Sequence, residues 1–256
     1  MRRNWTEEEL IVAFNLYCKI PFGTIHNRNS KIIELSNLIN RTADALALKL
    51  SNFASFDPEL KERGIRGLKN ASKKDAEIFD RFYFDRENLA FESEKALAEF
   101  EGLTIDEKFK EELPELNCIK GEEKIRYIKT RVNQRFFRSM LLANYEGKCA
   151  LTGINIPQML FASHIVPWSI NIENRLNPSN GICLSAHFDT AFDKGIISFT
   201  HDYRLLINPN IAKSKEMSYF FEWFQKFQNL KLNMPTKAFP GKEFLSWHRD
   251  NFNFHQ

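Results

Sequence analysis

Paired cysteines are the first thing this chain lacks. Its four cysteines (Cys18, Cys118, Cys149 and Cys183) are scattered across 256 residues, which argues against a disulfide framework and for a reduced, cytoplasmic protein. Long apolar runs are missing as well. No stretch of about eighteen apolar residues occurs, so no membrane-spanning helix is expected. The opening Met1-Arg2-Arg3-Asn4-Trp5-Thr6-Glu7-Glu8 is not followed by an apolar run, so it does not read as a signal peptide. Neither a Walker motif nor a dinucleotide fingerprint is present, and no nucleotide cofactor is expected. Charge of one sign is also scarce: a net +3 is too small to argue for a nucleic-acid partner without a favourable distribution. What remains is a composition 43% hydrophobic and 27% charged, with 24 phenylalanines against 6 tyrosines and 4 tryptophans. That describes a globular protein with aromatic-rich cores, long enough for two modest domains.

Residues 1–85 read as a helical domain. Thr6 stands three residues before Glu9, the spacing of a capping box, and Leu10, Phe14 and Tyr17 then share one face. Pro21-Phe22-Gly23 stops this helix. A second helix follows Asn29-Ser30 with Ile32, Leu35 and Ile39 as its stripe. Asn40-Arg41-Thr42 breaks it, and a third runs from Ala43 to Phe53 before Asp57-Pro58 closes the trio. Three short helices with a tight turn between the last two describe a helix-turn-helix-like arrangement, in which Arg41, Lys49 and Asn52 would be the DNA-reading side chains. The opening Trp-Thr-Glu-Glu-Glu-Leu and the later Arg-Thr-x-x-Ala-Leu loosely resemble Myb/SANT modules. A helical packing module is the alternative.

Arg63-Gly64-Ile65-Arg66-Gly67-Leu68-Lys69 is a basic, glycine-punctuated loop, either a phosphate clamp or a solvated turn. Residues 86–121 read as an exposed connector helix, continuous from Lys73 to Glu101, followed by a linker. From Glu122 to Tyr145 a longer helix has an apolar face of Ile125, Ile128, Val132 and Phe136-Phe137. Arg131, Arg135 and Arg138 recur on another face, a stripe suited either to a DNA backbone or to solvent.

The chemistry concentrates between Cys149 and Phe199. Hydrolysing a phosphodiester requires a deprotonated water and positive charge at the phosphate. A neutral imidazole is a suitable base, because its pKa lies near working pH. His164 lies in a short apolar run just before Pro167, which ends a strand or starts a loop. Asn180 lies 16 residues on, after a turn punctuated by Pro178 and Gly181, where its amide can brace the loop backbone around His164. Asp189 and Asp193 are four residues apart and would share one helix face; their carboxylates are hard ligands suited to Mg²⁺ or Mn²⁺. His187 is two positions early for that face.

The order and the flanking pattern resemble the HNH endonuclease family, in the branch with an Ala-Ser-His-Ile-x-Pro-Trp core (Ala162 to Trp168) and an Asp-x-x-Phe-Asp-x-Gly ending (Asp189 to Gly195). Arg175, Leu184 and Ile196-Ile197-Ser198-Phe199 add to the match, and Tyr145 to Gly153 resembles the segment that precedes the family's site. The resemblance implies an α+β protein in which the N-terminal helical domain is followed, over residues 122–256, by a ββα-metal nuclease domain with a C-terminal extension. It implies His164 as general base, Asn180 as organiser, Asp189 as first metal ligand, and Asp193 as second ligand or brace for the Gly195 turn. Arg175 joins Arg131, Arg135 and Arg138 as an expected nucleic-acid contact. Ser163 stands where many members carry a metal-binding aspartate. Cys149 and Thr152 stand where others keep a zinc-binding pair, so no structural zinc is expected. His248 is expected to be a structural histidine near Trp247.

The implied activity is metal-dependent cleavage of DNA, of the restriction or phage-defence kind, by a chain that dimerises to cut both strands. The alternatives are a non-catalytic DNA-binding regulator on a degenerate nuclease fold, and an RNA-directed or toxin-like effector.

Overall fold

The computed structural model describes residues 3–64, 71–114, 119, 121–212 and 218–254. It has the α+β make-up expected, with helices throughout and two small antiparallel sheets in the second half. Among the described residues no helix is long and apolar enough to cross a membrane. The chain forms two compact units, residues 1–140 and 141–256.

The first unit is helical: α1 (Glu7–Lys19), α2 (Ser30–Leu38), α3 (Ala43–Ala54), α4 (Pro58–Glu62), α5 (Lys73–Phe82), α6 (Arg86–Phe100), α7 (Ile105–Phe109) and most of α8 (Glu122–Asn144). The capping box at Thr6 is formed with Glu9. Asn29 and Thr42 cap α2 and α3 as their positions suggest. Helix α1 is buried on every side from Leu10 to Cys18, because α3, α5 and α6 all pack on it. Its inward polar groups are matched: the Asn15 amide donates to Ser93 Oγ at 2.6 Å, and the Tyr17 hydroxyl to Asp57 Oδ2 at 2.6 Å.

Three expectations change here. Asp57-Pro58 does not close the trio but opens α4, with Asp57 as N-cap and Pro58 in the first turn, where a missing N–H costs nothing. The segment from Lys73 to Glu101 is two helices, not one, and α6 is not an exposed connector. It buries Leu89, Ala90, Phe91, Ala96 and Ala98 against the first unit, since its small and apolar residues outweigh its charged outer face. Helix α8, assigned from sequence to the second domain, gives most of its length to the first unit; Ile128, Val132, Phe136 and Phe137 are buried while Ile125 stays exposed. Of the basic loop, Arg63 and Gly64 form a turn after α4, and its remainder lies outside the described residues.

The second unit is built on β1 (Leu160–His164) and β2 (Gly181–Ser185), paired antiparallel from Leu160 opposite Ser185 to His164 opposite Gly181, and followed directly by α9 (Ala186–Asp193). Strand β2 is buried along its whole length. Helix α9 packs on both strands, and the 149–154 knuckle binds β2 through Ala150 N donating to Cys183 O at 2.8 Å. After α9 the chain forms a hairpin of β3 (Ile197–Phe199) and β4 (Leu205–Ile207), turned through Tyr203 at φ 62°. Helices α10 (Pro209–Ala212), α11 (Ser218–Gln225) and α12 (Lys242–Asn251) complete the unit. Phe188 of α9 sits among Trp223, Phe224 and Phe227, an aromatic cluster of the kind the composition suggested.

Candidate active site

The site residues read from the 149–199 segment lie on β1, on α9 and in the loop between β1 and β2. His164 is the last residue of β1, so its side chain stands where the sheet gives way to the loop. Its Nε2 lies 3.0 Å from the carbonyl oxygen of Arg175. A carbonyl only accepts, so Nε2 carries the proton and the lone pair resides on Nδ1. Burial holds the imidazole below its ordinary pKa, with the Arg175 carbonyl acting the other way. The ring is therefore neutral, and able to take a proton, at neutral pH. Trp168 meets it edge to face with centroids 5.5 Å apart.

Asn180 is fully buried and ties the loop to the strand that precedes it. Its Oδ1 accepts from Val166 N at 2.8 Å, its Nδ2 donates to Val166 O at 3.1 Å and to Asn174 O at 3.3 Å, and its own carbonyl accepts from Ile165 N. These are backbone contacts to the two residues that follow His164 and to the loop beyond them. They continue into a run of asparagines three apart: Asn177 Nδ2 donates to Asn174 Oδ1 at 2.9 Å, and Asn174 Nδ2 to Asn171 Oδ1 at 3.0 Å. The spacing of Asn171, Asn174, Asn177 and Asn180 was present in the sequence, but only the folded loop reveals it as a ladder.

Asp189 and Asp193 of α9, Ser163 and His164 line one cleft of about 430 Å³, together with Trp168, Lys194, His248 and Phe252. Ser163 Oγ donates to Asp189 Oδ1 at 2.5 Å, so the residue in the family's aspartate position engages the first-choice ligand. Burial raises the Asp189 carboxyl above its usual range and the Ser163 bond opposes this. Burial, then the nearby Asp189 charge, push Asp193 up to about 6, with Lys194 pulling the other way. Neither aspartate has a salt bridge among the described residues.

Two neighbouring carboxylates whose proton affinities are both raised are suited to a divalent cation, and their oxygens fit Mg²⁺ or Mn²⁺. Among the described residues no three His, Cys, Asp or Glu side chains come together as a metal cluster. Mg²⁺ is commonly bound through one or two carboxylates with phosphate and water supplying the rest, a pattern that Asp189 and Asp193 would fit.

Residues 149–200 match the family model described as HNH endonuclease. The chain contains an HNH endonuclease domain. No curated protein matches the chain. The matched segment runs from the Cys149 knuckle through β1, β2 and α9 to the end of β3, and so contains His164, Asn180, Asp189 and Asp193. An HNH domain is a nuclease domain, and the ββα element here is its core.

Around that core the side chains explain the remaining family positions. Gly195 ends α9 at φ +63°, and a Cβ there would meet the Phe252 ring at 2.2 Å, so only glycine fits. His187 is exposed and lies beside Trp223, away from the cleft residues. His248 is buried in a structural role, as expected, but its partner is Phe192 and not Trp247: the rings stack at 3.9 Å, Nε2 lies 3.1 Å from Phe192 O and Nδ1 3.0 Å from Ser198 Oγ. Burial lowers its pKa to about 4, opposed by the Phe192 carbonyl and assisted by Arg249. Cys149 Sγ accepts from Thr152 N at 3.5 Å and Ser185 N at 3.3 Å. Burial acts to raise that thiol, but the Thr152, Leu151 and Ser185 hydrogen bonds prevail and hold it below its ordinary value.

The expected nucleic-acid contacts fare differently. Arg175 stays beside the site: Nε donates to Trp168 O at 3.1 Å, and its guanidinium lies 5.3 Å from the Trp168 ring centre. Arg41 and Lys49, by contrast, are spent inside the first unit. Arg41 pairs with buried Glu9 at 2.7 Å, and Lys49 with fully buried Asp75 at 2.7 Å; Asn52 also donates to Asp75. As DNA-reading side chains these three are corrected, because reaching DNA would strand a buried carboxylate. Arg131 and Arg135 both pair with Glu112, so the stripe on α8 is partly neutralised. The sequence could not show this, since Glu9, Asp75 and Glu112 are distant in the chain.

Proposed function

We propose that this protein is a metal-dependent DNA endonuclease of the restriction or phage-defence kind. The observation that carries the reading is the cleft itself: a neutral histidine with its proton fixed on Nε2 stands across one 430 Å³ space from two carboxylates of α9. His164 Nδ1 takes a proton from the attacking water while the Arg175 carbonyl holds the ring and stabilises the imidazolium that forms. Asn180 keeps the strand end and the loop in register, so that the base does not swing away. Asp189 and Asp193 would hold the Mg²⁺ or Mn²⁺ ion, which when bound neutralises charge on the phosphate oxygens and leaving 3′-oxygen. Arg175, supported on Trp168, supplies fixed positive charge beside the base. The substrate is DNA, cut by two copies of the chain acting together.

The test is plasmid cleavage with Mg²⁺ or Mn²⁺, on modified and unmodified DNA, by wild type and His164→Ala. Nicking or linearisation that needs the ion and disappears in the variant supports the reading. Cutting that persists in the variant, or absent cutting by wild type on every DNA, overturns it.

One observation favours the regulator reading. Ser163 takes up Asp189 Oδ1 by a hydrogen bond where a metal-binding carboxylate would stand in many relatives. Calorimetry with Mn²⁺ separates the two, since a regulator takes up no ion.

A further inference from the structure

Between Pro167 and Arg175 the chain leaves the end of β1 and turns back beneath His164, and its tip carries two isoleucines, Ile170 at 58% and Ile172 at 61% exposure. Single exposed aliphatics are ordinary. These two stand one residue apart on a short loop that is braced throughout. Ile170 N and Asn171 N both donate to Pro167 O; Asn174 N and Nδ2 both donate to Asn171 Oδ1. The asparagine ladder then carries that bracing to Asn180. Such a loop cannot fold its apolar tip inward, so both side chains are held out in water.

We propose that Ile170 and Ile172 form an apolar wedge that enters the groove of the DNA duplex beside the scissile phosphate. The inference rests on the nuclease reading and names how its substrate is gripped. Three points select this occupant. First, the tip is continuous with the site: Arg175 O bonds His164, and Arg175 N bonds Ile172 O at 3.4 Å. Three residues of chain reach at most about 11 Å, roughly three base steps along one strand, so the tip lies within that reach of a phosphate bound at His164. Second, exposed Glu173 follows Ile172. A carboxylate there is repelled by phosphates but accepts from base amino groups, which favours the groove over the backbone. Third, aliphatic side chains inserted at a base step unstack and kink DNA, and that deformation demands a rigid wedge, as the ladder provides.

The experiment uses the full chain and the double variant Ile170→Asn/Ile172→Asn with two substrates, a DNA duplex and bis(4-nitrophenyl) phosphate, which has no bases to contact. The expected result is a fall of about tenfold or more in the ratio of duplex cleavage to bis(4-nitrophenyl) phosphate hydrolysis. In the His164→Ala background, 2-aminopurine placed next to the cleavage site brightens on binding, and the added isoleucine changes abolish that signal. An unchanged ratio with unchanged fluorescence overturns the wedge. A wild-type dimer that becomes monomeric in the double variant also overturns it, assigning the tip to a second copy. Wild type inactive on both substrates sinks the nuclease reading instead, while the binding and fluorescence arm still decides the wedge.

Discussion

Both units of this protein take carboxylates out of bulk water, Glu9 and Asp75 fully, Asp189 in part and Asp193 least, and they treat them in opposite ways. In the first unit Glu9 meets Arg41 and Arg3, and Asp75 meets Lys49 and Asn52. Burial works to raise both acids, yet their partners prevail and hold them below the ordinary carboxylate range. In the second unit Asp189 has a serine for a partner and Asp193 has another carboxylate nearby, and both are raised. Charge that is satisfied internally serves the fold. Charge left unsatisfied marks a candidate functional site, and the proposed occupants are a cation and the phosphate it accompanies.

The largest effect that would break this comparison lies at the base. His164→Ala should reduce metal-dependent DNA cleavage by about 10²–10⁴-fold, measured by plasmid nicking, with the thermal unfolding of the protein little altered. Next come the two kinds of acid. Asp75→Ala strands the Lys49 ammonium in the first unit and should cost about 3–5 kcal/mol in chemical denaturation, whereas the pair Asp75→Leu with Lys49→Met should recover most of it. Asp189→Asn, in contrast, should leave stability level or slightly raised, because burial already disfavours its charge, while divalent-ion uptake in calorimetry falls. Equal destabilisation by Asp75→Ala and Asp189→Asn would erase the distinction between the units.

A third expectation concerns pH. His248 titrates at about 4 in the fold against about 6.5 unfolded. Its folded value is depressed, so the unfolded chain takes up the proton first as pH falls. The stabilisation is complete above 6.5 and lost between 6.5 and about 4, amounting to about 3 kcal/mol. Denaturant melts of wild type and His248→Phe across that window should diverge accordingly, the variant being the flatter. The smallest effect is the acid limb of activity. Because burial lowers the His164 pKa, the rate should hold to below pH 6.5 before falling. A limb above 6.5 would mean that another group is the base.

Much of this was legible along the chain. Local signals sufficed wherever the deciding partners were close in sequence. The Thr6–Glu9 box and the caps at Asn29 and Thr42 depend on residues within a turn. The Ala162–Trp168 and Asp189–Gly195 patterns located the HNH core, and the structure then placed His164, Asn180, Asp189 and Asp193 around one loop and one cleft. The failures share a cause. Arg41, Lys49 and Asn52 were read as exposed readers because their neutralising acids lie 32, 26 and 23 residues away. Helix α6 was read as an exposed connector because its charged face is visible in sequence and the packing surface of α1 is not.

The sequence by itself determined the helical make-up of the first unit, the HNH core and the candidate residues His164, Asn180, Asp189 and Asp193, since these follow from short-range spacing. Only the tertiary structure decided which charges are available. It paired Arg41 and Lys49 with buried carboxylates, put Ser163 onto Asp189, set the His164 tautomer through the Arg175 carbonyl and left Ile170 and Ile172 in water. Those outcomes depend on burial and on partners brought together by folding, and no local pattern carries that information.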